Sequence, residues 1–437
     1  MPSSSDHVSA PSSSTAGRPR TVSAAVIGNL FEWYDFTIYG FFAPVIASEF
    51  FGPGDSTTNL LQAFGVFAVG YFARPLGAII FGSIGDRLGR RVALLLSLLV
   101  MAIPTLGMVL IPTWQSVGIL SPLLLIGFRL LQGISIGGEF TGAVSYLSEH
   151  AGERHRGFSG ALTVSTAMLG ILLGSLVYTL MDLSMSVPDL LHWGWRWAFG
   201  FGLVILVIAT ILRWGMPASP HFEQAKAEGK LATHPIRTCL REQRRALVNA
   251  ILLISAPAML CYALTVYMSE FLDAQGGLAR STAGLIVTVA IGVSVLVPLI
   301  IGAWSDRRGR MPFIRTGFVA CMLWSIPLFA LAGSGSEPLA WVAVMVGAVI
   351  LGILQGVYPV TLSEMFPTES RYSGTSIAYN VSFAFVGGTF PLVAAWLVAS
   401  TDSSLSPGWY LLTMTFMAML FIWRLPETAN QRLSDLS

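Results

Sequence analysis

Five charged side chains, Glu32, Asp35, Arg74, Arg129 and Glu139, stand inside long apolar stretches of this 437-residue chain. A charge at the centre of a lipid bilayer costs about 2.5–3.5 kcal/mol on insertion scales, so such residues must pair or line a wet cavity. Glu32 and Asp35 are three apart, close together on one helix face. Two carboxylates in a low-dielectric site repel, which favours a proton on one of them. Strongly coupled acids titrate as a pair, so the spacing assigns that proton to neither. Arg129 and Arg74 each offer a planar donor fork to a carboxylate. Proton carriage and anion binding are thus the chemistry within reach; the bland alternative is a static ion pair that fixes helix packing. In the second half Gln355, Tyr358, Tyr379 and Asn380 are polar groups in apolar runs and candidate contacts for a small solute. Trp33, Tyr34 and Tyr39 could stack on a quaternary ammonium, although helix packing is the commoner use of such rings.

The elements that must position these residues follow from composition. The chain is 54% hydrophobic and 11% charged, against about 25% charged in soluble domains. Apolar runs of roughly 18 residues or more mark membrane spans. The pattern predicts an all-α membrane protein with spans at 22–48, 59–84, 92–111, 117–147, 158–181, 197–215, 246–270, 282–304, 313–332, 338–364, 373–399 and 408–424. In lipid every backbone group must bond internally, and these runs are too long for barrel strands. With both termini in the cytoplasm, all but four of the 25 Lys and Arg residues fall on that side, many of them in the central loop. The exceptions are Arg74, Arg129, Arg196 and Arg280. Residues 1–20, polar and rich in Ser and Pro, are expected to be a disordered tail rather than a signal peptide. Residues 21–215 and 246–425 are expected to form two six-helix bundles, with a cytoplasmic loop at 216–245 and a short tail at 426–437. Cys239, Cys261 and Cys321 form neither a disulfide framework nor a metal pattern. No nucleophile–base set or phosphate loop appears, so neither an enzyme nor a cofactor or metal protein is expected. A net charge of +2 gives no reason to expect a nucleic-acid partner.

The chain also repeats itself. Gly82-Ser-Ile-Gly-Asp86-Arg87-Leu-Gly89-Arg90 after the second span is echoed by Gly302-Ala-Trp-Ser-Asp306-Arg307-Arg308-Gly309-Arg310 after the eighth. Leu147-Ser148-Glu149 with Arg156 is echoed by Leu362-Ser363-Glu364 with Arg371. Acids at one helix end and arginines at the next can pair across the cytoplasmic surface and hold a gate shut, against the plainer reading of positive-inside charge. Internal repeats with a solute site between them near the midplane are a common transporter plan.

At these residues the chain resembles the major facilitator superfamily, and within it the metabolite:proton symporters. The resemblance covers roughly residues 22–430. It rests on Gly28-Asn29-Leu-Phe-Glu32-Trp33-Tyr34-Asp35-Phe36, Ala73-Arg74-Pro75-Leu76-Gly77, Arg129-Leu-Leu-Gln132-Gly133-Ile-Ser-Ile-Gly137-Gly138-Glu139, Glu364-Met-Phe366-Pro367 and Pro426-Glu427-Thr428. It implies twelve helices in two pseudo-symmetric bundles, a bacterial inner-membrane location, a functional monomer and proton-coupled uptake by alternating access. It also implies an acid in the first helix, Asp35 with Glu32 as the other candidate, facing Arg129 in the fourth. Glu139 is then a candidate charge relay, and Asp86, Arg90, Glu149, Arg156, Asp306, Arg310, Glu364 and Arg371 are gating candidates. Arginine at 129, where zwitterion porters of the family tend to carry lysine, tilts the expected substrate toward an organic acid bound by Arg129 and Arg74. A long C-terminal extension like that of the osmosensing porters is not expected either. A zwitterion such as proline or betaine is the alternative.

Overall fold

The computed structural model of the chain describes residues 18–88, 90–138, 140–141, 144, 155–214, 240–366 and 371–429. Every regular element among them is helical. The first half comprises α1 (Arg18–Phe41), α2 (Ala43–Phe50), α3 (Ser56–Phe72), α4 (Arg74–Leu88), α5 (Arg90–Leu110), α6 (Leu120–Ile136), α7 (Arg156–Ser184) and α8 (Trp195–Trp214). The second comprises α9 (Arg244–Tyr262), α10 (Met268–Ala274), α11 (Arg280–Arg308), α12 (Met311–Ala332), α13 (Glu337–Glu364), α14 (Arg371–Ser382), α15 (Phe390–Thr401) and α16 (Ser406–Ile422). Each of the twelve predicted spans is helical over most of its described residues. The first breaks at Phe42, where Pro44 suits the opening turn of α2 because it needs no backbone donor there. The second breaks at Ala73, directly before Arg74-Pro75. The seventh and eleventh each contain a π-helical turn, Ala263–Tyr267 and Phe383–Gly387.

Eight helices among the described residues are long and apolar enough to cross a bilayer, and Leu95–Leu110, Leu120–Ile136 and Ser406–Ile422 are shorter apolar helices. Large apolar side chains such as Leu110, Ile211 and Leu323 point outward, as a lipid surroundings requires, while Arg74, Arg129 and Asp35 are buried inside. Sequence polarity is thus inverted relative to a soluble bundle. Small residues let the helices approach: a Cβ at Gly133 would run into the Gly70 carbonyl, and one at Gly77 into the backbone of Ile134.

The two halves meet along two seams. In one, α7 lies against α11. There the backbones of Gly157 and Gly302 touch, and a Cβ on Gly302 would sit 2.6 Å from that of Ala161. Farther along the same pair, Thr288 bonds Ser175 at 2.7 Å and Thr179 at 3.0 Å. In the other seam Asn380 of α14 donates to the Gly137 carbonyl at 2.9 Å, Tyr379 stacks on Phe140 at 4.2 Å, and the Tyr71 and Tyr262 hydroxyls are hydrogen-bonded.

Candidate functional site

Among the buried arginines, Arg74 and Arg129 stand within the spans of the first half, each with an acid acting on it. Asp35 sits on α1 and Arg129 on α6, both fully buried. They meet through a third residue: Gln132 donates its Nε2 to Asp35 Oδ2 at 2.7 Å and accepts at Oε1 from Arg129 Nη1 at 2.9 Å. The expected facing acid and arginine are present, joined by an amide rather than by direct contact. Gln132 lies three residues after Arg129, on the same helix face; that spacing was the available signal for it. Arg129 also donates to the Phe36 carbonyl at 3.3 Å and lies 4.0 Å from the Phe36 ring centroid and 4.5 Å from that of Tyr39. All these groups belong to the first half.

Arg74 begins α4, and its guanidinium reaches the boundary between the halves. Trp33, Phe36 and Tyr71 of the first half lie 5.5, 6.0 and 5.3 Å from it, and Tyr379 and Phe383 of the second lie 5.6 and 5.9 Å away, all centroid distances. Rings at this range attract a cation through their quadrupoles. The guanidinium Nε and Nη2 are buried with no hydrogen-bond acceptor. Buried N–H groups are normally satisfied, so these donors are available for an acceptor that enters the cage. Glu32 acts electrostatically on both Arg74 and Tyr379. Among the described contacts, Glu32 thus acts on Arg74 and Asp35 on Arg129.

The remaining predicted binding residues divide. Tyr379 is part of the cage. Tyr34 points instead to α8, where its hydroxyl donates to the Ala198 carbonyl at 2.6 Å and its ring packs on Phe201; Trp33 takes the cage position. Gln355 is buried against α7, with Nε2 3.6 Å from Met168 Sδ. Asn380 spends its amide on the Gly137 and Ser376 carbonyls and so ties the two halves together. Glu32, Asp35, Arg74, Arg129 and Tyr379 are at most 3% exposed. Solvent does not reach these side chains in this conformation.

At one end of the α7–α11 seam stands a network of charges. Asp306 accepts from the backbone nitrogens of Gly157 at 2.8 Å and Phe158 at 3.1 Å, and so caps the first turn of α7 from the opposite half. Arg310 bonds Asp306 at 2.9 Å and lies 3.6 Å from Glu364, which is 3.7 Å from Arg156. Two residues beyond α16 complete the network: Thr428 donates to Glu364 at 2.6 Å, and Glu427 accepts from the Arg310 and Met311 nitrogens at 2.8 and 3.0 Å. Burial pushes the Glu427 carboxyl up, but these backbone donors outweigh it and hold the group below the usual carboxylate range. Of the predicted gating residues, Arg156, Asp306, Arg310 and Glu364 are brought together here. Asp86, Arg90 and Arg371 lie on described helices, but their side chains fall outside the described residues, as do Glu139 and Glu149 altogether.

The sequence model of the Major Facilitator Superfamily matches residues 25–391. The chain is 34% identical over 427 residues to the proline/betaine transporter of Escherichia coli K12, covering 95% of this chain and 84% of that one. It is 33% identical over 412 residues to the alpha-ketoglutarate permease of the same organism, covering 94% of each. Among solved structures, the partially occluded inward-open form of the xylose transporter XylE from E. coli superposes with a TM-score of 0.78 at 19% identity, covering 96% of this chain and all of that one.

Proposed function

Because this chain belongs to the major facilitator superfamily, we propose that it is a proton-coupled symporter that takes up a small zwitterion of the proline or betaine kind across the bacterial inner membrane. The Asp306–Glu364 network then faces the cytoplasm, as do both termini. The observation that carries the reading is the Arg74 cage at the boundary of the halves. One cation with free donors suits one carboxylate, bound through a planar fork. Five rings with Glu32 beside them suit the cationic end of the same molecule, since aromatic faces hold quaternary and secondary ammonium groups. Similarity to the proline/betaine transporter favours the same choice.

An organic acid is the second reading. It is favoured by the Nε and Nη2 of Arg129, which are also buried without an acceptor and could supply a second cation to a dicarboxylate. The similarity to the alpha-ketoglutarate permease points the same way. Arg129, however, bonds and packs against groups of the first half, with Tyr262 of the second half farther out, whereas Arg74 touches rings of both halves directly, as a solute that drives alternating access must. Asp35 is the proposed proton site, with Arg129 as its counter-ion. The test is uptake by purified protein in proteoliposomes under an inward proton gradient. Proline, glycine betaine, 2-oxoglutarate, citrate and succinate would be presented separately. Accumulation of betaine or proline that collapses with a protonophore is the expected result; accumulation of 2-oxoglutarate alone replaces the zwitterion with the acid.

A further inference from the structure

Resting on the symport reading, we propose that Gln132 is the positioning residue through which a proton on Asp35 controls Arg129, by reversing the polarity of a two-bond chain. A carboxylate only accepts hydrogen bonds, a guanidinium only donates, and an amide does one at each end. With Asp35 ionised there is one way to satisfy the three. The Gln132 nitrogen faces Asp35 at 2.7 Å and its oxygen faces Arg129 at 2.9 Å. Amide orientation is usually a matter of inference, but here both neighbours dictate it.

A proton arriving on Asp35 Oδ2 turns that oxygen into a donor that faces the amide NH2. Two donors now oppose each other in a site without exposure to water. Rotating the Gln132 amide by half a turn restores the bond on the Asp35 side, because Oε1 then accepts from the carboxyl. The same rotation points NH2 at Arg129 Nη1, donor against donor, and Arg129 loses its best acceptor. What remains to it is the longer bond to the Phe36 carbonyl.

The groups facing Asp35 are Tyr34 on its own helix, Thr105 on α5, Gln132 and Arg129 on α6, and the bare Gly202 backbone on α8. Around Arg129 stand Tyr39, Phe36 and Phe67, with Tyr71 and Tyr262 farther out. The consequence reaches the solute cage through Phe36. Its ring lies 4.0 Å from the Arg129 guanidinium, 6.0 Å from that of Arg74, and edge-on to Tyr71 at 4.5 Å. A guanidinium that shifts when its acceptor turns away moves a ring that is also a wall of the cage.

The test separates coupling from binding. Gln132→Met keeps the volume and removes both hydrogen bonds; Gln132→Asn keeps the amide but is too short to span both partners. In proteoliposomes loaded with glycine betaine, gradient-free counterflow of labelled betaine should fall less than accumulation under a proton gradient does. Accumulation under a proton gradient should fall at least about tenfold, the effect of losing a charge-assisted hydrogen bond. Equal losses in the two assays, or wild-type accumulation by both variants, overturn the proposal. A measurement that needs neither a known substrate nor the Met variant is infrared titration of the purified protein. The Asp35 carboxyl stretch, identified by its absence in Asp35→Asn, should titrate at a different pH in Gln132→Asn than in wild type. An unchanged titration curve overturns the proposal even where betaine transport is absent, whereas a shifted curve without betaine uptake refutes the substrate and leaves the switch standing.

Discussion

Asp306→Asn perturbs the join between the halves at a point where its strength can be estimated. The side chain is 8% exposed and makes three charged contacts: two backbone N–H donors of α7 and the Arg310 guanidinium. Asparagine is isosteric and keeps one acceptor oxygen, but its NH2 must then face either an α7 nitrogen or Arg310, donor against donor. Hydrogen bonds to a charged group contribute about 1.5–3 kcal/mol each, and losing a helix cap costs about 1 kcal/mol. Arg310 keeps Ser305 and Glu364 as partners, so a net loss of about 2–3 kcal/mol is expected at this seam. At 1.4 kcal/mol per factor of ten, the ratio of open to closed forms at this end should rise by about 30- to 140-fold, and a form held at about one per cent should become a major species. Spin labels at Val92 and Arg308, both exposed at this end of the two halves, would report it by pulsed distance measurement once Cys239, Cys261 and Cys321 are replaced. The expected result is a second, longer distance in Asp306→Asn. An unchanged distribution would refute the idea that this aspartate holds the halves together.

Asp35→Asn should abolish proton-driven accumulation and leave solute exchange partly intact; full accumulation by that variant would remove Asp35 from coupling. Arg74→Lys, which keeps the charge but loses the planar fork, should raise the apparent KM for betaine by roughly tenfold or more, and an unchanged KM would place the carboxylate elsewhere. Glu427→Gln should lower the thermal midpoint of the detergent-solubilised protein at pH 7 by no more than a few degrees. Because the folded Glu427 carboxyl lies below its usual range, its contribution is complete above the unfolded value near 4.3 and fades as pH falls through the folded one. The two proteins should therefore converge under acid; a gap that widens there contradicts the cap.

The spans were legible in the sequence because a bilayer imposes long apolar runs, and the buried charges because nothing else in such a run is so costly. The acid on the first helix and the arginine on the fourth were found as types, but not the amide that joins them, since an uncharged glutamine in an apolar run stands out far less than a charge and its spacing from Arg129 was the one signal for it. Helical spacing put Glu32 and Asp35 on one face. It could not show that one turns to the cage and the other to α6, a division made by what packs against α1. Nor could it choose Trp33 over Tyr34, one residue apart. The Arg74 cage was least visible: Tyr379 and Phe383 arrive from about 300 residues away in sequence. The gate was partly visible because its residues occur twice; Thr428 and Glu427 lie outside the repeat.

The π-helical turn at Phe383–Gly387 puts the eleventh span out of phase with any pattern counted in α-helical steps. Gly388 bonds back to the Phe383 carbonyl at 2.8 Å, five residues rather than four. One extra residue in a turn is a rotation of about 100° for everything downstream. Phe383, at the Arg74 cage, and Gly388, pressed against the Tyr71 ring, thereby share a face that an unbroken α-helix would split. The Ala263–Tyr267 turn does the same for Tyr262 and Tyr267, both buried. Two single-residue insertions thus work as phase shifters, and the aromatic wall of the second half depends on the parity of residue number as much as on residue type. Deleting one residue from the lipid-facing side of such a turn, Phe385 for instance, would leave every cage residue in place in the sequence and turn part of the wall away from the site.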